Sequence, residues 1–186
     1  VLVQLPLPKE INTDYVLNTI KKEKDIDRLS KKSLGEIEQN TNSPLPPTVA
    51  GIMMLLDEYK IKTKGKHVVI VGHGRLVGRP ISKVLKNKGA TISIVDEFTP
   101  EETKRTLLKS ADMVVSGVGK ANLITKDMLK EGVVAIDAGI SIKDGKLTGD
   151  IAENVKEVAS YYTPVPGGIG PMTVAMLFRN LIELSK

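Results

Sequence analysis

The chain is 186 residues long, with 27 basic against 22 acidic side chains, a formal net charge of +5 at neutral pH, and no Cys or Trp. The missing cysteines exclude disulfide staples, thiolate metal sites and thiol nucleophiles, and the length suits one good core or one domain with part of another. The lysines are spread over residues 21–32, 60–66, 83–88 and 126–130, interleaved with acids and apolar positions; with no aromatic-basic stripe on which bases could stack, no nucleic-acid partner is expected, and the basic surface suits the attraction of an anionic ligand.

The opening VLVQLPLP is apolar, but it is broken by prolines and lacks the basic start and small-residue cleavage site of a signal peptide. No run approaches the roughly 20 apolar residues that span a bilayer, so a soluble, cytoplasmic protein without a membrane partner is expected. Residues 1–8 read as a strand ending in prolines, 13–21 as a helix and 47–59 as a longer helix. This first stretch looks like the tail of something larger. From residue 66 the pattern becomes regular: strand 67–71, helix 78–88, strand 91–95, helix 100–109 with Thr99 as its cap, strand 112–116, short helix 125–129 and strand 133–137. Residues 143–150 read as a hairpin turning at Asp144-Gly145, and 171–184 as an amphipathic helix after the glycine-rich PVPGGIGP. Apolar strands alternating with amphipathic helices predict an α/β, Rossmann-like, doubly wound and mainly parallel sheet covered on both faces.

The most informative segment is VVIVGHGRLVGRP at 68–80, a β-branched run breaking into glycines and then into a helical pattern. Gly72 takes backbone angles closed to other residues, Gly74 has no side chain to obstruct a pyrophosphate, and Gly78 lets the helix sit close to the strand. The helix start offers N–H groups and the positive end of its dipole to phosphates. The spacing is G-x-G-x-x-x-G, one residue longer than the usual fingerprint, but the context is right: Asp96 ends the next strand roughly 20 residues on, where an acid that binds ribose hydroxyls is expected. His73 lies within this turn and reads as a loop histidine beside the cofactor, and Asp137 as the cap of the turn that follows its strand.

Several motifs together resemble the bifunctional methylenetetrahydrofolate dehydrogenase/methenyltetrahydrofolate cyclohydrolase family: VQLPLP (3–8), EKDID (23–27), PPTVAG (46–51), VGRP (77–80) after Gly72, VGK (118–120), IDAGI (136–140), GKLTGD (145–150) and TPVPGGIGPMT (163–173). The resemblance implies a two-domain enzyme, with tetrahydrofolate derivatives held in a cleft between a catalytic domain and a nicotinamide-binding Rossmann domain, and a homodimer through the Rossmann domains. Hydride leaves the methylene bridge for the nicotinamide, and the methenyl product is hydrolysed to the formyl compound. It divides the chain into 1–60, a remnant of the catalytic domain with a linking helix; 61–164, the Rossmann domain; and 165–186, a cleft loop and a helix returning to the catalytic domain.

Carried over by resemblance, Gln4 orients the catalytic lysine, and Asp27 receives the amino edge of the pterin, where paired N–H donors meet a carboxylate. Arg28 stands where the family usually has glycine and is expected to pair with Asp27. The cofactor set is Thr48, Gly72, His73, Gly74, Arg75, Leu76, Val77, Gly78, Asp96, Val118, Gly119, Ile140 and Thr173, and Gly167, Gly168 and Pro171 line the substrate side of the cleft. No metal is implied. The family's lysine belongs to a Tyr-x-x-x-Lys motif upstream of VQLPLP; here Thr19, Thr63, Val165 and Pro166 stand four places after the four tyrosines. Two readings therefore stand, a dehydrogenase/cyclohydrolase or a dinucleotide-binding module that is non-catalytic or completed by another chain. His73-Gly74 replaces the Arg-Ser of many relatives, and Asp96-Glu97 replaces a basic or polar cluster. Two carboxylates repel the extra phosphate of NADP, so of NAD or NADP the expected cofactor is NAD, with Arg75 and Arg79 as the cations able to reverse that choice.

Overall fold

The computed structural model of the protein describes residues 1–39 and 43–186. Among the described residues the strands are β1 His67–Val71, β2 Thr91–Val95, β3 Met113–Ser116, β4 Val133–Asp137, β5 Ser141–Lys143, β6 Lys146–Thr148 and β7 Ala159–Tyr162. The α-helices among them are α1 Thr13–Thr19, α2 Lys31–Glu38, α3 Pro47–Glu58, α4 Gly78–Asn87, α5 Glu101–Ser110 and α6 Ile169–Glu183. The main sheet has the order β2-β1-β3-β4-β7 and is parallel at every pairing. Its direction of growth reverses at β1, with β2 added on one side and β3 on the other.

Side-chain alternation along β1 explains the two layers that cover the sheet. Val68 and Ile70 enter one core with Ile52 and Leu56 of α3 and Ile81 and Leu85 of α4. Val69 and Val71 enter the other with Leu108 of α5, Ile151 and Val155. Each such residue, fully buried, contributes about 1.5–3 kcal/mol through removal of apolar surface from water, which is why a strand of HVVIV is stable only between two helical layers. β5 and β6 form the expected antiparallel hairpin, with Asp144 and Gly145 both at positive φ, the geometry of the turn that matches strand twist.

Four expectations change. Residues 1–8 form no strand: Pro6 and Pro8 have no N–H to give to a ladder, and the sheet edges are β2 and β7. Thr99 does not cap α5, whose first flanking residue is Pro100; the Thr99 hydroxyl instead donates to Asp96 Oδ1 at 3.1 Å and accepts from Asp96 N at 3.0 Å. α2 was not expected, because KKSLGEIE buries only Ser33 and Ile37; Ser30 caps it, accepting from Ser33 N at 3.2 Å. β7 also went unseen, since ASYY is short and pairs only with β4, across a register shift at Val133/Val134.

Candidate functional site

The crevice at the carboxyl ends of β1 and β3 lies where the strand order reverses, which is where open parallel sheets bind ligands. Gly72 leaves β1 at φ +86° and its N–H donates to Val95 O at 2.8 Å, fixing the turn to the end of β2. A Cβ on Gly78 would lie 1.9 Å from Gly72 O, so no side chain fits between α4 and the turn. A Cβ on Gly72 would meet Val118 Cγ2 at 2.8 Å, and one on Gly117 would meet Val77 Cβ at 2.7 Å, so the loops after β1 and β3 are in contact. Gly74 is different. The nearest atom to a Cβ there is Gly117 O at 4.0 Å, so this glycine fronts open space. α4 starts without a side-chain cap, leaving the positive end of its dipole available to an anion. A bare backbone beside an uncapped helix start is a cradle that fits a pyrophosphate.

Around this cradle, Leu76, Val118 and Ile140 are exposed apolar residues on the three adjoining loops, whereas Val77 turns inward to the core. His73 is exposed, and its carbonyl accepts from Arg79 Nε at 3.1 Å. Arg75 pairs with Asp14 on α1. Asp96 stands at the end of β2, its Oδ1 already accepting from Phe98 N at 3.0 Å and from Thr99.

The loops are held from beneath by two buried acids, Asp150, whose partners lie 30 to 34 positions away, and Asp137. Asp150 Oδ2 accepts from Ser116 Oγ and Val118 N, both at 2.7 Å, and Oδ1 accepts from Gly119 N at 2.9 Å and Lys120 N at 2.7 Å. Asp137 caps the turn after β4 as expected: Oδ1 accepts from Gly139 N at 2.9 Å and Oδ2 from Ile151 N at 2.7 Å. Burial pushes its carboxyl up to about 6, against those two hydrogen bonds. Gly139 and Gly149 make room for the pair, since a Cβ on either would fall 2.1 Å from the nearest carboxylate atom, Asp150 Cγ or Asp137 Oδ2. Asp150, Ser116, Gly117, Gly139 and Gly149 were missed as site residues; the signal available was an acid within two positions of a glycine in both IDAGI and GKLTGD.

On the sheet face that carries Val68 and Ile70, α3 and α6 pack against each other. Thr173 Oγ1 donates to Ile169 O at 3.1 Å and lies 3.3 Å from Thr48 Oγ1, so the two threonines meet where α3 and α6 pack. Gly51 permits that contact, because a Cβ there would lie 3.0 Å from Met172 Cβ. Gly167 has φ +104°, a Cβ on Gly168 would lie 2.4 Å from Pro164 O, and Pro171 sits exposed in the first turn of α6.

Asp27 is half-buried, and burial followed by the nearby Asp25 carboxylate raises it to about 6. Asp25 itself is committed to the fold, accepting from Leu29 N, Ser30 N and Ser33 Oγ at 3.3, 3.0 and 2.7 Å. The expected pairing of Arg28 with Asp27 does not occur. Arg28 adopts φ 59°, which turns its side chain inward; it is buried, pairs with Glu36 and donates to Pro44 O at 3.2 Å and Lys22 O at 3.3 Å. The left-handed backbone that a glycine would take freely is thus kept, and the guanidinium leaves Asp27 clear. Asn180, also missed, ties this loop to α6 by donating from Nδ2 to Ile26 O at 3.0 Å and Leu45 O at 2.8 Å. Gln4 is exposed, and its Nε2 donates to Leu5 O at 3.1 Å. Among the described residues there is no group of three or more His, Asp or Glu arranged to hold a metal, and no helix long and apolar enough to cross a membrane.

A doubly wound parallel sheet with a glycine cradle at its switch point defines a Rossmann-type domain of the dinucleotide-binding class. Residues 46–186 match the family described as tetrahydrofolate dehydrogenase/cyclohydrolase, NAD(P)-binding domain, and the chain belongs to that family. The chain is 46% identical over 188 aligned residues to the bifunctional protein FolD of Fusobacterium nucleatum subsp. nucleatum, covering all of this chain and 66% of that protein. It superposes on the crystal structure of the bifunctional methylenetetrahydrofolate dehydrogenase/cyclohydrolase FolD from Campylobacter jejuni with a TM-score of 0.93 at 40% identity, covering 98% of this chain and 65% of that one. The Trypanosoma brucei FolD structure, complexed with NADP and an inhibitor, aligns with a TM-score of 0.92 at 35% identity, again over 98% and 65% of the two chains. The chain therefore spans about two thirds of the length of the relatives it matches.

Proposed function

We propose that the chain supplies the nicotinamide-dinucleotide site and part of the folate site for oxidation of methylenetetrahydrofolate to the methenyl form and its hydrolysis to formyltetrahydrofolate. The observation that carries this reading is the glycine cradle at the switch point within a family match that runs from residue 46 to residue 186. The bound nicotinamide accepts a hydride. The chain's own residues orient and enclose: the Gly72-Gly74 backbone and the start of α4 take the pyrophosphate, and Asp96 the ribose hydroxyls. Leu76, Val118, Gly119 and Ile140 border the cofactor, and Thr48 and Thr173 stand at its nicotinamide end. Asp27 receives the pterin, with Gly167, Gly168 and Pro171 on the same wall and Gln4 toward the catalytic lysine. The division at residues 60 and 164, a homodimer through the Rossmann domains and a cytoplasmic location belong to the same proposal. NAD is the favoured cofactor, since Asp96 and Glu97 oppose a 2′-phosphate.

None of the four tyrosines within residues 1–186 begins a Tyr-x-x-x-Lys motif, so the second reading, a binding module completed by a lysine from elsewhere, applies to these residues assayed by themselves. General acid-base catalysis contributes roughly a hundred- to ten-thousand-fold. Assays on the chain by itself are expected to give weak methylenetetrahydrofolate-dependent reduction of NAD and no cyclohydrolase turnover comparable to a full-length relative; full cyclohydrolase activity refutes the assignment of that step to the lysine. Folate binding is also expected to depend on pH. Asp27 must be ionised to accept paired N–H groups, and its carboxyl sits at about 6, so affinity rises about tenfold between pH 5 and pH 7. Asp27→Asn abolishes that dependence; a flat profile for the unaltered chain removes Asp27 from the site.

A further inference from the structure

Two arginines stand at the phosphate turn, Arg75 within it and Arg79 in the first turn of α4, and they are engaged differently. Arg79 Nε donates to His73 O at 3.1 Å, inside the turn itself. Arg75 is drawn the other way, across 61 positions in sequence, into an ion pair with Asp14 in the first turn of α1. The turn lies against the end of β2, where Gly72 N meets Val95 O at 2.8 Å and Asp96-Glu97 follow. A ribose hydroxyl group held at Asp96 thus comes within the neighbourhood of the turn, and a 2′-phosphate added there meets carboxylates unless an arginine is available.

We propose that Asp14 is a specificity-determining residue, which favours NAD by withholding Arg75 from the 2′-phosphate of NADP. This rests on reading the glycine turn as a dinucleotide site. Guanidinium groups bind phosphate and carboxylate through the same paired N–H donors, so Asp14 and a 2′-phosphate compete for one cation. The pair is partly open to solvent, at 27% exposure for the Arg75 side chain and 48% for Asp14, so it biases the choice without locking it. The Arg75 guanidinium, through its hydrogen bond and its charge, holds the Asp14 carboxyl below the usual carboxylate range. Because Asp14 lies in the segment that precedes the Rossmann sheet, cofactor choice here depends on a contact from outside the glycine fingerprint.

The test is calorimetric titration of NAD and NADP into the whole chain and into Asp14→Asn, Arg75→Gln and the double variant, at one fixed ionic strength. Asp14→Asn is expected to lower the ratio Kd(NADP)/Kd(NAD) about three- to fivefold, the change an exposed ion pair can supply. Arg75→Gln is expected to leave the ratio near that of the unaltered chain, and the double variant to lose the Asp14→Asn shift. An unchanged ratio in Asp14→Asn overturns the proposal, as does an equal shift in the double variant, which traces the effect to Asp14's own charge. If the folded, unaltered chain binds neither dinucleotide, the dinucleotide reading fails first and takes the proposal with it.

Discussion

Gly78→Ala lowers both stability and dinucleotide affinity, whereas Gly74→Ala, four residues earlier, lowers affinity alone. The added methyl at Gly78 has no place to go: it would sit 1.9 Å from Gly72 O and 2.9 Å from His73 Cα, both backbone atoms. Either α4 moves off the sheet or the turn opens, and overpacking of this kind costs about 3 kcal/mol. For a chain of this size that lowers Tm by roughly 6–12 °C. The displaced turn also carries the phosphate cradle, so NAD affinity falls at least about tenfold, equivalent to about 1.4 kcal/mol. At Gly74 the methyl meets no atom nearer than 4.0 Å, and stability stays within about 0.5 kcal/mol. Yet it projects into the open space that the proposed site gives to the phosphates. Thermal unfolding and NAD titration of the two variants separate packing from ligand contact, and equal loss of stability in both contradicts this assignment of roles.

The second large effect is at Asp150. Four donors converge on its carboxylate, three of them backbone N–H groups of residues 118–120. Asn in its place presents an amide N–H₂ to at least one pair of these donors, leaving buried polar groups unpaired. The expected cost is about 2–4 kcal/mol, together with loosening of the loop whose Val118 packs against the glycine turn. Glu restores the charge but not the fit, because its extra methylene must enter the space that Gly139 leaves for the existing carboxylate. Asp144→Asn is the matched control: it lies at the exposed hairpin turn with φ 51°, a conformation Asn accepts readily, and stability should change by less than about 0.5 kcal/mol. Denaturant unfolding of Asp150→Asn and Asp144→Asn tests the contrast, and similar stabilities for the two deny Asp150 its role.

The strands β1, β2 and β4 were legible to the residue, because each is a β-branched run bounded by a turn, and such runs need both faces covered. The Asp144-Gly145 hairpin was legible because the chemistry of that turn is local. Asp150 was not: its partners lie 30 to 34 positions away, and before folding it resembles any acid in a polar segment. Arg28 shows the opposite difficulty. Its neighbour in sequence was Asp27, but a positive φ reversed the side chain and gave it to Glu36, so adjacency misled. Thr99 had the chemistry of a helix cap and spent it on Asp96. Residues 1–8 had strand composition, but Pro6 and Pro8 carry no N–H for a ladder, and Gln4, taken from the same motif, lies exposed beside its own backbone.

The most direct measurement is titration of NAD into the purified, folded chain. The cradle predicts one site per chain, weakened by Gly74→Ala at unchanged stability; a folded chain that binds neither NAD nor NADP contradicts the reading of residues 68–80 as a phosphate site.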